Sequence, residues 1–211
     1  MTAEPTDWRA WHREYDEPDS RLAQRLRVVR GLIREALDRF PPGPIRALSI
    51  CAGEGRDLLG VLADHPRAGD VRARLVELSP ELAATAAAHA PPGVEVVCGD
   101  ASRTSAWTGA VPADLVLVCG VFGNVSDADI RHTVKTLPVL CAAGATVVWT
   151  RHRRPPDLTP EVRAWFRDAG FAEIAFVGSD AQLYGVGAHR LVSAPLPFAP
   201  DVTMFRFAAR A

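Results

Sequence analysis

The sequence predicts an α/β fold, a mostly parallel sheet with helices on both faces. Three observations predict it. Short apolar runs alternate with segments of helical period from about residue 45 to residue 180. The first run ends in Ala52-Gly53-Glu54-Gly55, and Asp57 then opens a helical segment through Leu58, Leu59 and Leu62, so the order is strand, glycine turn, helix. A chain of 211 residues, 48% of them apolar, has enough material for one full core.

Taken in order, residues 1–18 carry Trp8, Trp11, His12 and Tyr15 among charges without a clean period. Leu22, Leu26, Val29, Ile33, Ala36, Leu37 and Phe40 recur at helical spacing, with Asp19 or Ser20 as cap and Pro41-Pro42 as stop. Residues 1–40 therefore read as a lid segment and helix laid on a main body, 41–211, within one globular unit. Strand 45–51 precedes helix 56–65. Strand 72–77 alternates Arg72 and Arg74 with apolar residues, which exposes one face, and helix 80–89 follows. Strand 94–98 runs into Gly99-Asp100-Ala101-Ser102. Strand 114–119 is the most apolar and belongs at the centre. A glycine loop, 120–124, leads into helix 126–140, and strand 145–150 leads into the basic loop Arg151-His152-Arg153-Arg154. Helix 159–169 ends at Gly170, a natural C-cap, before strand 171–177. Residues 186–192 and 202–207 both read as strands, separated by Pro195, Pro197 and Pro200.

Composition narrows the function. A formal net charge of −1 sets up no global field for nucleic acid, and no apolar run approaches a membrane span. The four cysteines lie in or beside apolar runs with no metal-ligand spacing, and read as small buried thiols rather than a disulfide framework. The N-terminus is polar and acidic, unlike a signal peptide, so the expected location is cytoplasmic. The expected state is a monomer or homodimer that takes a small molecule and no metal.

In a parallel sheet, ligands bind beyond the carboxyl ends of the strands. Here those ends carry Ala52-Gly53-Glu54-Gly55, then Glu77-Leu78, Gly99-Asp100-Ala101, Cys119-Gly120-Val121 and Thr150-Arg151-His152. A dinucleotide fingerprint wants a third glycine three residues after the second, and Leu58 stands there, which argues against a pyrophosphate. Glu77 follows the glycine turn by about the 20 residues expected of an acid that accepts from a ribose diol. Asp100 can accept an adenine amine. Each acid also has a plain alternative, Glu77 as a helix cap and Asp100 as an Asx-turn residue.

On these residues the chain resembles the class I S-adenosylmethionine-dependent methyltransferases across roughly residues 45–180. Cys51-Ala52-Gly53-Glu54-Gly55, Glu77, Gly99-Asp100-Ala101 and the loop after strand four stand where that family has its motifs. The resemblance implies a Rossmann-like seven-stranded sheet, parallel except for its last strand, with 186–192 as that strand and 202–207 as an added edge. It implies S-adenosylmethionine as cofactor, with Ala52, Gly53, Glu54, Gly55 and Asp57 at the methionyl end, Glu77 and Leu78 at the ribose, and Asp100 and Ala101 at the adenine. Cys119, Gly120 and Val121 would lie at the methionine end or substrate. One departure is Cys51, where the family usually has an acid; Asp57 or Glu54 can compensate. Signatures of the DNA-modifying and metal-dependent members are missing, which leaves a small-molecule substrate.

Methyl transfer is an in-line displacement, so the protein aligns the reactants and excludes water, and a base helps where the acceptor is a hydroxyl or protonated amine. His152 is the first candidate base and His12 the second. Tyr15 can cover the cofactor and Arg25 can meet its carboxylate. Arg151, Phe122 and Asn124 are candidates for the substrate side, with Arg151, Arg153 and Arg154 suited to an anionic group. The expected activity is methyl transfer to oxygen or nitrogen of a small molecule. The alternatives are a cofactor-binding regulator without catalysis and, with Leu58 against it, a nucleotide-dependent oxidoreductase.

Overall fold

The computed structural model describes residues 14–207. Seven strands form one sheet: β1 (Ile45–Ile50), β2 (Val71–Glu77), β3 (Val94–Cys98), β4 (Ala113–Val118), β5 (Cys141–His152), β6 (Phe171–Ser179) and β7 (Tyr184–Leu191). Their spatial order is β3-β2-β1-β4-β5-β7-β6. All neighbours from β3 to β5 are parallel, and β7 runs antiparallel between β5 and β6. The order reverses between β1 and β4, the switch point at which a ligand crevice opens.

The helices are α1 (Arg21–Arg39), α2 (Leu58–Leu62), α3 (Pro80–His89), α4 (Asp127–Thr136) and α5 (Thr159–Asp168). Ser20 caps α1 by accepting from the Ala23 N–H at 3.0 Å, and Ser79 and Ser126 do the same for α3 and α4. Strand alternation sorts the core into two layers. Leu115 and Leu117 of β4 face α1 and α2, whereas Val116 and Val118 face α4 and α5. Both layers are dry, which makes β4 the buried centre of the sheet.

Four expectations need correction. Residues 202–207 are not a strand but a strap, touching the body through isolated bridges Arg103–Thr203 and Val125–Phe207. The prolines before it deny the segment a ladder. It is held instead by scattered bonds: the Thr104 backbone N–H donates to the Val202 carbonyl at 2.9 Å, and the Thr133 hydroxyl to the Met204 carbonyl at 2.9 Å. Met204 and Phe205 fill the space beneath. The helix over 126–140 gives way at Leu137 to a 3-10 turn, because Pro138 cannot continue it, and β5 starts four residues sooner than expected. The helix over 56–65 shrinks to α2. Among the cysteines, Cys98 is exposed, since β3 is an edge strand.

Among the described residues no helix is long and apolar enough to cross a membrane, and no cluster of potential metal ligands occurs.

Candidate functional site

The loop after β1 is set by backbone conformation. Cys51, Gly53 and Gly55 all take positive φ, 56°, 57° and 69°, a sequence of left-handed turns that only the glycines adopt without strain. Gly55 is confined as well, because a Cβ there would lie 2.9 Å from Leu75 Cδ2. The Ala52 N–H donates to the Val76 carbonyl at 3.0 Å, which keeps the loop anchored to β2.

Glu77 bonds in two directions within the chain. One carboxylate oxygen accepts from the Gly53 N–H and the other from the Ser79 N–H, each at 2.8 Å. It thereby joins the glycine loop to the start of α3, with further lone pairs left on each oxygen. Asp100 makes the Asx turn, accepting from the Ser102 N–H at 2.9 Å, and stays exposed. Glu77 and Asp100 both act on Cys51, whose thiol is pushed up first by burial and then by these two charges. The acids after β2 and β3 thus flank one glycine loop. Leu78 lies between them in sequence and is 64% exposed, an apolar platform on the rim. Ala101 is buried behind them.

A second group closes the other side of the switch point. Tyr15 precedes α1, and its hydroxyl accepts from Arg25 Nη2 at 3.2 Å. Asp57 caps α2 by accepting from the Leu58 N–H at 2.7 Å, is buried, and is hydrogen-bonded to Cys119. Burial raises the Asp57 carboxyl, the Cys119 thiol and the Tyr15 phenol alike, and the Asp57 and Cys119 charges add to the rise at Tyr15. One small space therefore holds a buried carboxylate, a guanidinium, a phenol and a thiol. Arg56 lies 5.5 Å from the Tyr15 ring centroid and pairs with Glu54 at 2.5 Å and Asp16 at 2.6 Å, so Glu54 is held in an ion pair beside the glycine turn. Arg30 donates twice to the Arg56 carbonyl, at 2.9 and 2.6 Å, and pins the loop from α1. Sequence reading missed Arg30 and Arg56, since neither stands at a strand end.

The loop after β4 begins at Gly120, whose N–H donates to Thr150 Oγ1 at 2.8 Å and whose carbonyl accepts from Asn124 Nδ2 at 2.6 Å. A Cβ at Gly120 would meet nothing within 4 Å, so this residue faces open space. Val121 and Phe122 do not. Both side chains are fully buried, with the Phe122 ring 6.0 Å from Trp149 and 6.5 Å from Phe166. Neither side chain faces a ligand, because the loop turns its two largest apolar groups into the core.

The basic loop is divided by strand alternation. Arg151 points to the core side, donates to the Phe122 carbonyl and pairs with Asp127 at 3.4 Å. It is buried, so it braces the β4 loop and is not open to a substrate; burial lowers its pKa. His152 points the other way, towards Gly123, whose added Cβ would lie 3.3 Å from the imidazole Cδ2. Its Nδ1 is shielded from solvent and has no hydrogen-bond partner among the described residues. Burial, then Arg151, Arg154 and Arg21, hold its pKa below the ordinary histidine value, so the ring is neutral near pH 7. Arg21, at the first position of α1, was not singled out by sequence. Arg153 is spent on Asp157 and Asp180. His12, with Trp8 and Trp11, lies outside the described residues.

No protein-family model matches the sequence, and no curated protein matches it. Solved structures do match. N-methyltransferase NodS from Bradyrhizobium japonicum WM9, in complex with S-adenosyl-L-homocysteine, superposes with a TM-score of 0.63 at 16% identity, over 88% of this chain and 98% of that one. Magnesium protoporphyrin IX methyltransferase (ChlM) from Synechocystis PCC 6803 with bound SAH gives 0.67 at 10% identity, over 87% and 93%. An O-methyltransferase family protein from Burkholderia thailandensis gives 0.64 at 20% identity, over 81% of this chain and 56% of that one. Strand order, the reversed β7 and these likenesses agree: the chain has the fold of the class I S-adenosylmethionine-dependent methyltransferases.

Proposed function

We propose that this protein is an S-adenosylmethionine-dependent methyltransferase acting on a small molecule in the cytoplasm, with methyl transfer to oxygen or nitrogen. The observation that carries the reading is the pairing of two polar groups across the switch point. Glu77 and Asp100 flank the glycine loop on one side, and Asp57 with Arg25 and Tyr15 lie on the other. Groups of this chemistry suit a nucleoside at one end and an amino-acid zwitterion at the other.

The residues fit such a cofactor. Glu77 has lone pairs for a ribose diol, Leu78 gives an apolar surface to a flat base, and Asp100 has a free oxygen for an exocyclic amine. Asp57 supplies the buried carboxylate that Cys51 does not, so an ammonium can be met from α2 rather than from β1. Arg25 is the matching cation for a carboxylate, held in place by Tyr15. When bound, the cofactor supplies an activated methyl group. The chain's own part is to orient, exclude water and take a proton. Tyr15 and α1 cover the site, Gly120 leaves room beside it, and His152 presents a neutral imidazole at the end of β5. The three solved neighbours carry different acceptor names, so the choice of oxygen or nitrogen rests on the need for a base.

Calorimetric titration with S-adenosylhomocysteine tests the reading. Wild type is expected to bind, and Glu77→Ala to bind at least about tenfold more weakly, about 1.4 kcal/mol. Folded wild type that takes up no S-adenosylhomocysteine would remove the proposal.

A further inference from the structure

The turn that presents Asp100 follows β3, an edge strand, so the sheet braces it from one side, where the Gly99 N–H donates to the Glu77 carbonyl at 2.9 Å. The strap over 202–207 supplies a second brace. Ser102, whose N–H donates to the Asp100 carboxylate at 2.9 Å, accepts through its own carbonyl from the Met204 N–H at 2.8 Å. The Met204 carbonyl in turn accepts from the Thr133 hydroxyl of α4 at 2.9 Å. Thr104 fastens the strap again, its hydroxyl donating to the Ala199 carbonyl at 2.5 Å and accepting from the Val202 N–H at 3.0 Å. Met204 and Phe205 are buried in the same core layer as Ala101 and Val134, so the ties are dry. Thr133 is itself fully buried, and its hydroxyl already has a local acceptor, the Asp129 carbonyl one turn back at 2.7 Å. The helix does not need the second acceptor. That second bond fixes the strap on α4 and, through Ser102, the place of the Asp100 carboxylate.

From this run of bonds we propose that Thr133 and Thr104 are positioning residues for adenine recognition: they hold the strap, and the strap holds Asp100 where its other carboxylate oxygen meets the exocyclic amine of the base. The inference rests on the cofactor reading and adds to it the residues that aim Asp100. A displacement of about 1 Å is enough to spoil such a contact.

The test compares, by calorimetry, S-adenosylhomocysteine with S-inosylhomocysteine, in which a carbonyl oxygen replaces the amine of the base. Wild type is expected to prefer the amine tenfold or more. Thr133→Val and Thr104→Val, checked for folding by circular dichroism, are each expected to cut that preference fivefold or more. Thr133→Ser keeps the hydroxyl and should keep the preference. So should Thr136→Val, which removes a hydroxyl of the same helix that donates to the His132 carbonyl. A merely structural role would lower stability and leave the preference unmoved. A second readout needs no substitution: exchange of the Met204 N–H in wild type should slow tenfold or more under saturating S-adenosylhomocysteine. Wild type without a preference, a preference that survives in Thr133→Val, an equal loss in Thr136→Val, or unchanged exchange at Met204 overturns the proposal while leaving the cofactor reading intact. Wild type that does not bind S-adenosylhomocysteine overturns both.

Discussion

His152 and His189 stand at opposite ends of the pairing between β5 and β7, and both imidazoles are kept neutral by burial. Their surroundings differ. His189 accepts from Trp149 Nε1 at 3.1 Å through its Nδ1, which puts the proton on Nε2, 3.5 Å from Glu173. Its ring stacks on Phe166 with centroids 4.4 Å apart, and Glu173 is fixed by two bonds from Arg163 at 2.6 and 2.8 Å. The Nε2 is buried and makes no hydrogen bond among the described residues, facing Glu173 only at ion-pair distance. His152 is surrounded by cations, and its Nδ1 has no hydrogen-bond partner among the described residues. A lowered pKa by itself therefore does not mark a base. Each ring has one nitrogen without a hydrogen bond; what distinguishes the two is place, His152 at the carboxyl end of β5 among cations and His189 enclosed between Trp149 and Phe166.

The largest expected effect separates the two rings by rate. His152→Ala should lower kcat by about 10²–10⁴-fold with little change in S-adenosylhomocysteine affinity, whereas His189→Gln should leave kcat close to wild type. Parallel losses in both variants would erase the distinction. The next is in stability. Gly187 lies under the indole that fixes His189, and a Cβ there would come 2.6 Å from Trp149 Cζ2. Gly187→Ala should cost about 3 kcal/mol by denaturant titration, and a variant as stable as wild type would mean that the indole is free to move. The smallest effect is a pH dependence. His189 is held at about 4 in the folded protein, against about 6.5 when unfolded. The unfolded chain therefore takes up a proton first as pH falls. The contribution is complete above about 6.5 and is lost progressively down to about 4, by at most about 3 kcal/mol at roughly 1.4 kcal/mol per pH unit. His189→Gln should flatten that decline, and an unchanged decline would assign it to other groups. The shift at His152 has the same sign, so activity should rise through an apparent pKa below that of free histidine.

Much of the frame was legible because each cue was local. Alternation of apolar period gave β1 to β7, and the glycine turn, Glu77 and Asp100 were found from strand ends alone. The misses share a cause. Whether a residue after a strand points into the crevice or the core depends on the last turn of the strand, which composition does not reveal. Arg151 and His152 are adjacent in sequence and face opposite sides, so the basic run read as one feature is three: a buried brace, an internal ion pair at Arg153, and a free rim at Arg154. Phe122 failed for the same reason. The strap failed because its hydrogen bonds come from Thr104 and Thr133, which are distant in sequence and unremarkable in type.

That strap has a consequence in time. Val202 and Thr104 are 98 residues apart, and their mutual bonds hold the segment just after Asp100. At about 5–20 residues per second, a ribosome needs roughly 5–20 s to travel between them. Through that interval β1 to β5 can emerge and pair while the segment after Asp100 is still unclasped. The segment after Asp100 thus gains these bonds only once Val202 has been made, long after the strands that flank it.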